Sequence, residues 1–501
     1  MKKILCLIII LYLLPITNAN PQNLSIEPTD SWMYESLNIL NHYTPPDYFA
    51  SQRPFWRDKL AKYIAKRVDY TAKDAPPVYK WECKRLINEQ RSRSNLPISR
   101  ENTPLWLKIS PYSLNHFINQ DEPLYRLGFK GEAALNIDQH FFAQLRGRLE
   151  NKGELDSFAK VRKWKDKLTG YFNYALLGYR YKSIRLTFGR TFRAWGPWDN
   201  DRLLISTNSP SYNQISIGIT TKKLAFLYWT AKLDHYQDRD GQRINRFFAA
   251  HRLAFKPHCR LELGLSETVL YGRKNSGWEF YYLNPILPFY WEQYNNKIDD
   301  NVYMGLDLTW WATTGLIIYG ELLIDDFQID FVSEPHQIGF NLGFSQIGLF
   351  LSPNLQIMAD YTQIRNTVYT QNKFYNVYAH DRVVIGSSLG TDADRLRYKL
   401  TYHATPFLRV SLGGHYDRKG EGRYWDEYPQ SVPDEEKFPS GRVQNRYDNY
   451  LEIEYLRGAT VQGYLKIGYL AIKNVENQPE NLYSPYISIN LLCHFRQLFM
   501  L

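Results

Sequence analysis

The sequence predicts an all-β transmembrane barrel of about eighteen antiparallel strands, preceded by a small α-helical region, and three observations carry that prediction. The first is period-two alternation, which runs from about Pro104 to Leu501. In Tyr125–Ile137 the residues Tyr125, Leu127, Phe129, Ala133, Leu135 and Ile137 alternate with Arg126, Lys130, Glu132 and Asn136. In Arg395–His403, Leu396, Tyr398, Leu400 and Tyr402 alternate with Arg395, Arg397, Lys399 and His403. Successive side chains of a strand point to opposite faces, so each segment has one apolar and one charged face. The second observation is that the links between strands alternate between short and long, as they do in bacterial barrels. The third is an aromatic content of 16% with 39 Tyr, residues that collect at bilayer interfaces.

The elements follow in order. Met1-Lys2-Lys3, the apolar run Ile4–Leu14 and Thr17-Asn18-Ala19 have the three parts of a signal peptide, giving an expected segment 1–19. Residues 20–103 carry helical rather than strand periodicity. Trp56, Leu60, Tyr63, Ile64 and Val68 recur at helical spacing, as do Tyr79, Cys83, Leu86 and Ile87, and Met33, Leu37 and Leu40 mark a shorter helix. Pro45-Pro46 and Pro76-Pro77 separate the three segments. A region of this size needs a docking partner to be stable.

The barrel is expected over 104–501, with strands near 104–116, 124–137, 140–150, 171–182, 183–190, 215–221, 224–234, 246–256, 259–270, 302–311, 315–325, 336–346, 354–366, 395–405, 407–417, 446–457, 460–472 and 484–500. Asp138-Gln139, Lys182-Ser183, Thr221–Lys223, Ala312–Thr314, Ala404–Pro406 and Arg457–Ala459 are the short links. Residues 151–170, 191–214, 271–301, 367–394 and 418–445 are the long ones. An even strand count puts both termini, and the helical region with them, on the short-link side, which is periplasmic in such barrels. The localisation expected is therefore the bacterial outer membrane, with the long loops extracellular. The chain ends Phe499-Met500-Leu501 rather than on an aromatic residue.

Composition narrows the function. Mean hydropathy is −0.46, and no run after residue 19 approaches the roughly 18 apolar residues of a spanning helix. Cys83, Cys259 and Cys493 are odd in number and far apart, which speaks against a disulfide framework and against a zinc motif. The net charge of +10 is spread over alternating strand positions. It reads either as a solvated mixed-charge surface or as a basic lumen or rim drawing an anionic partner. For an exported chain that partner is an acidic glycan, not nucleic acid. No nucleophile elbow, His-based metal motif or phosphate-binding glycine loop occurs, so no catalytic residue, metal or cofactor is expected.

Gly189–Pro210 (GRTFRAWGPWDNDRLLISTNSP) is the most distinctive stretch. Its Gly189-Arg190, Trp195-Gly196-Pro197, Leu203-Leu204 and Thr207–Pro210 are similar to a series of elements in the capsule assembly Wzi family. So are Tyr282-Leu283-Asn284-Pro285 with Glu292, Asp300-Asn301, Tyr319–Phe327 and Leu389–Asp394. Trp198 stands after Pro197 where the family pattern has Gly. The resemblance spans nearly the whole chain beyond the signal segment. It implies a lectin-like outer-membrane barrel that holds capsular polysaccharide on the cell surface, with helices on the periplasmic side; the expected protein is a monomer in outer-membrane lipid.

Independently, the 271–301 loop sets Tyr271, Trp278, Phe280, Tyr281, Tyr282, Phe289, Tyr290, Trp291 and Tyr294 among Asn275, Glu279, Asn284, Glu292, Asn295 and Asn296. Rings that stack on sugars beside amides and carboxylates suit a glycan site, whereas an aromatic girdle is the structural alternative. The expected carbohydrate-binding residues are Arg190, Trp195, Trp198, Asp199 and Asn208, with Trp278, Tyr282, Asn284 and Glu292 beside them. Asp325-Asp326 and Asp392/Asp394 fit either a hard cation or a role in ion pairs and turns. The row Arg126, Lys130, Arg146, Arg148, Arg185, Arg397 and Arg409, with Glu132, Glu452 and Glu454, reads as lumenal cross-bracing or an anion path. A porin-like channel for anionic or sugar solutes and a barrel hydrolase of envelope lipid or glycan are the rival functions.

Overall fold

A computed structural model describes residues 25–68, 75–94, 104–118, 124–155, 161–165, 167–197, 201–238, 240–274, 277–326, 337–348, 352–426, 437–457 and 460–500. The expected segment 1–19 lies outside them. Alternating sequence becomes alternating faces over a single closed antiparallel barrel of eighteen staves. They are β1 (Pro104–Ile118), β2 (Leu124–Asn136), β3 (Phe141–Glu150), β4 (Thr169–Tyr181), β5 (Ile184–Thr191), β6 (Tyr212–Thr220), β7 (Leu224–Lys232), β8 (Arg243–His258) and β9 (Leu261–Lys274). After these come β10 (Asn301–Thr313), β11 (Leu316–Asp326), β12 (Gln337–Ile347), β13 (Leu355–Ile364), β14 (Ala393–His403), β15 (Leu408–Lys419), β16 (Gln444–Arg457), β17 (Val461–Lys473) and β18 (Asn481–Cys493, continued by Phe495–Met500). β18 returns to β1, with Ile489 opposite Asn115 and Phe495 opposite Ile109, so no sheet edge is left open.

The outward faces carry bare apolar side chains. Leu127, Phe129, Leu177, Phe188, Ile215, Leu265, Leu342 and Leu412 are all exposed, as a wall in contact with hydrocarbon requires. The inward faces are polar and cross-linked by ion pairs. Arg126 pairs with Glu150, Arg397 with Asp360 (2.6 Å) and Lys399 with Glu452 (2.7 Å). Of the two readings of the lumenal row, cross-bracing is the one realised at these positions.

Three helices precede the barrel: α1 (Met33–Tyr43), α2 (Arg57–Val68) and α3 (Pro77–Ser94). Met33, Leu37, Leu40, Leu60, Tyr63, Ile64, Tyr79, Cys83 and Leu86 form their common core, as their helical spacing dictates. The unit seats in the short-link end of the lumen. Arg57 reaches Glu132 at 2.7 Å, Asp58 receives Arg180 at 2.6 Å, and Glu82 receives Arg409 at 2.8 Å. Glu262 accepts the backbone N–H of Ala50 (2.9 Å) and of Ser51 (3.0 Å), and Lys256 donates to the carbonyls of Pro46 and Tyr48 at 2.9 and 2.6 Å. Buried charges are tolerable in this way only when each finds a partner.

A second plug fills the long-link end. Residues 192–197, 201–211 and 365–392 fold inward and bury Trp195, Leu203, Leu204, Ile205, Val368, Tyr369, Tyr378 and Ile385 against Trp229, Phe248, Leu270 and Tyr303 of the inner wall. The two plugs touch at mid-lumen, where Gln52 and Arg53 pair as an antiparallel bridge with Trp195 and Ala194. Gly196, next in the chain, sits at φ +121°, and a Cβ there would lie 1.8 Å from the Glu321 carboxylate. The Trp-Gly-Pro turn thus needs its glycine both for backbone conformation and for close approach.

Candidate functional site

The long-link mouth contains the chemistry that the plugs leave accessible. Glu321 and Asp325 of β11 set its floor. Glu321 accepts the N–H of Leu203 at 2.7 Å, and Asp325 accepts that of Tyr369 at 2.8 Å, so one strand latches both inward loops. Tyr378 strengthens the join by donating to the carbonyl of Leu204 at 3.0 Å. Asp394 pairs with Arg418 through a 2.9 Å contact to Nε, and Asp392 accepts the N–H groups of Gly422 and Ser440, both at 3.0 Å. Asp325, Asp392 and Asp394 therefore serve as ion-pair and turn partners. The side chain of Asp326 lies outside the described ones. Among the described residues, no cluster of three or more His, Cys, Asp or Glu side chains could hold a metal ion.

The residues expected to bind carbohydrate are not brought together. Trp195 is 1% exposed, its backbone N–H donating to the Ile205 carbonyl at 2.9 Å and its ring edge-on to Trp229 at 6.3 Å. Asn208 is half-buried and ties the two plug loops together by donating to the Val384 carbonyl at 3.1 Å. Arg190 shares its strand face with the exposed Leu186 and Phe188, hence the outer wall, and donates to Asn213 at 3.0 Å. Trp198 and Asp199 lie outside the described residues.

The remaining four belong to a segment laid against the outside of the barrel. Two short helices, α4 (Phe280–Leu283) and α5 (Phe289–Asn296), carry it. Tyr282 is fully buried, packed on Tyr271 and Phe289 and donating to Asp300 at 2.9 Å. Asp300 also receives Arg273 at 2.6 Å, yet burial pushes its carboxyl up to about 6. Asn284 is exposed and accepts the N–H of Ile286, while Glu292 accepts from Asn296 at 2.5 Å. Trp278 is half-exposed, its ring 4.8 Å from Phe247. Burial thus removes Trp195 and Tyr282 from the rings that a ligand at the mouth can reach in this conformation.

Where α5 meets the rim, a cleft of about 440 Å³ opens. Tyr290, Gln293, Tyr294 and Lys297 line one side, Thr370, Gln371 and Asn372 of the inward loop the other, and Asp300, Asn301 and Asp325 its base. Tyr294 is 69% exposed. Two accessible tyrosine rings, amides from two segments and one cation converge here, a combination able to stack on a sugar face and hydrogen-bond its hydroxyls. The aromatic loop signalled its first half. Nothing in the local pattern of 370–372 marks it as the facing wall, because that wall exists only once the loop folds inward.

The fold and the mouth define a class: an outer-membrane β-barrel whose lumen is occupied from both ends by segments of its own chain. Its family follows from comparison. The family model described as capsule assembly protein Wzi matches residues 110–482, so the chain belongs to that family. Among solved structures it is similar to Wzi from Escherichia coli, described as an outer membrane protein involved in group 1 capsule assembly and a carbohydrate binding beta-barrel. That match has a TM-score of 0.64 at 14% identity, covering 95% of this chain and 100% of that one. The outer membrane protein OprD from Pseudomonas aeruginosa is more distant, with a TM-score of 0.47 at 10% identity over 79% of this chain and 94% of that one. No curated protein sequence matches this chain.

Proposed function

We propose that this protein binds and retains capsular polysaccharide at the cell surface without chemically changing it. The rim cleft carries the reading, because it joins exposed rings, amides and a lysine on a scaffold of the capsule assembly family. The net charge of +10 over the whole chain favours an acidic glycan. In this reading the short-link end and the helical unit face the periplasm, and the long loops face outward. The two plugs speak against an open solute path, and among the described residues no nucleophile–base pair at the mouth favours a hydrolase.

Tyr290→Ala with Tyr294→Ala tests the cleft. At about 1 kcal/mol per ring, binding of an acidic capsular polysaccharide to the full chain in detergent should weaken about thirtyfold. The variant should keep the heat-modifiable migration of a closed barrel. Unchanged binding by a correctly assembled variant refutes the assignment.

A further inference from the structure

The segment on the outside of the barrel has a second face that the cleft does not use. It is held by an unusual pair on the outer wall. His251 of β8 and Glu267 of β9 are cross-strand partners, on the same face as the exposed Leu253, Phe255 and Leu265. His251 Nε2 lies 2.9 Å from the Glu267 carboxylate. The two oxygens of that carboxylate accept the N–H of Phe289 (2.9 Å) and of Tyr290 (2.6 Å), the first residues of α5. A carboxylate on a wall that meets hydrocarbon is costly, and here the start of a helix satisfies it. Phe289 stacks on His251 with ring centres 4.4 Å apart and completes the cover.

The segment also carries large apolar side chains that no described part of the chain covers. Phe280 is 86% exposed, Ile286 79% and Trp291 61%, with Trp278 beside them. Height decides what they meet. His251 and Phe247 stand eight and twelve residues above the turn at Cys259. At about 3.3 Å per residue and a tilt of about 40°, that places the covered patch about 20 to 30 Å above the turn. On β2, Leu127 stands eleven residues above the short link at Asp138 and is a bare, 55% exposed side chain. The segment therefore rests at a level where other staves still present apolar residues to lipid, and its outer face continues the exposed Leu265 and Leu306 just below it.

We infer that residues 277–296 form a membrane-interface foot, locked to the wall by Glu267 and seating Phe280, Ile286 and Trp291 in the acyl-chain and headgroup boundary of the surrounding lipid. Aromatic side chains favour that boundary, and a short amphipathic helix lies naturally in its plane. The foot would hold the rim cleft at a fixed height above the bilayer.

Spin labels on the full chain in phosphatidylcholine vesicles test this. In a background with Cys259→Ser and Cys493→Ser, which leaves only the buried Cys83 among the described cysteines, labels are placed at Trp291→Cys and, independently, at Phe280→Cys. Leu265→Cys provides the wall reference and Trp425→Cys the loop reference. Collision with oxygen should exceed collision with a water-soluble nickel chelate severalfold, with a ratio nearer to that of Leu265→Cys. A ratio nearer to that of Trp425→Cys overturns the inference. So does shielding from nickel that appears only after polysaccharide is added, which would make the face a glycan surface. Adding Glu267→Gln should sharpen the spectrum at position 291 by freeing the segment; an unchanged, immobile spectrum overturns the lock.

Discussion

His42 shows how one buried side chain couples the helical unit to the barrel. Its Nδ1–H donates to the Asn38 carbonyl at 2.8 Å, which leaves Nε2 to accept the hydroxyl of Ser345 on β12 at 2.9 Å. Both contacts are open to the charged ring too, but burial outweighs them and lowers the pKa to about 4 from an ordinary 6.5. The sign follows directly. Between pH 6.5 and 4 an undocked His42 holds a proton that the docked one refuses, so docking is fully stable above 6.5 and weakens as pH falls through that window. The loss should approach about 3 kcal/mol near pH 4. Protease release of residues 25–94 measured against pH should show this slope, and His42→Gln should flatten it.

At the scale of elements, Arg409 of β15 is the strongest clasp on α3. It reaches Glu82 at 2.8 Å and Glu454 at 3.5 Å, and also contacts Glu35 of α1. Removing one partner of a buried cluster strands the others, at a cost of about 3–5 kcal/mol. Arg409→Ala should therefore speed proteolysis of the helical unit by at least a hundredfold while the staves stay protected. Equal rates in the two proteins would show that the apolar contacts of α1 and α3 hold the unit alone. The inward loops are built on the same logic from the other side, with Glu321 and Asp325 as latches. Those acids belong to the Tyr319–Phe327 stretch that the sequence singles out, and their first duty in the fold is to fasten loops.

For the whole molecule, the two plugs meet at Gln52 and Trp195, which speaks for an occupied lumen over an open channel. The protein should give no stable single-channel current in planar bilayers, and a persistent open level would contradict the packing. A double change, Arg409→Ala with Glu321→Ala, loosens both ends and should introduce noisy, intermittent conductance.

Side-chain periodicity within a dozen residues is enough to place the staves, their parity and the three helices. Leu127 and Phe129 face lipid because their neighbours Arg126 and Lys130 cannot, and no distant contact is needed to establish that. Tertiary structure alone decided where the long loops go. Trp195 and Trp291 look alike as loop aromatics, yet one is sealed against Trp229 and the other stands exposed on the outer wall. The difference comes from partners far along the chain: Tyr378 joined to Leu204, and Glu267 capping Phe289 and Tyr290. Such pairings carry no local period, which is why the strand pattern was legible and the composition of the mouth was not.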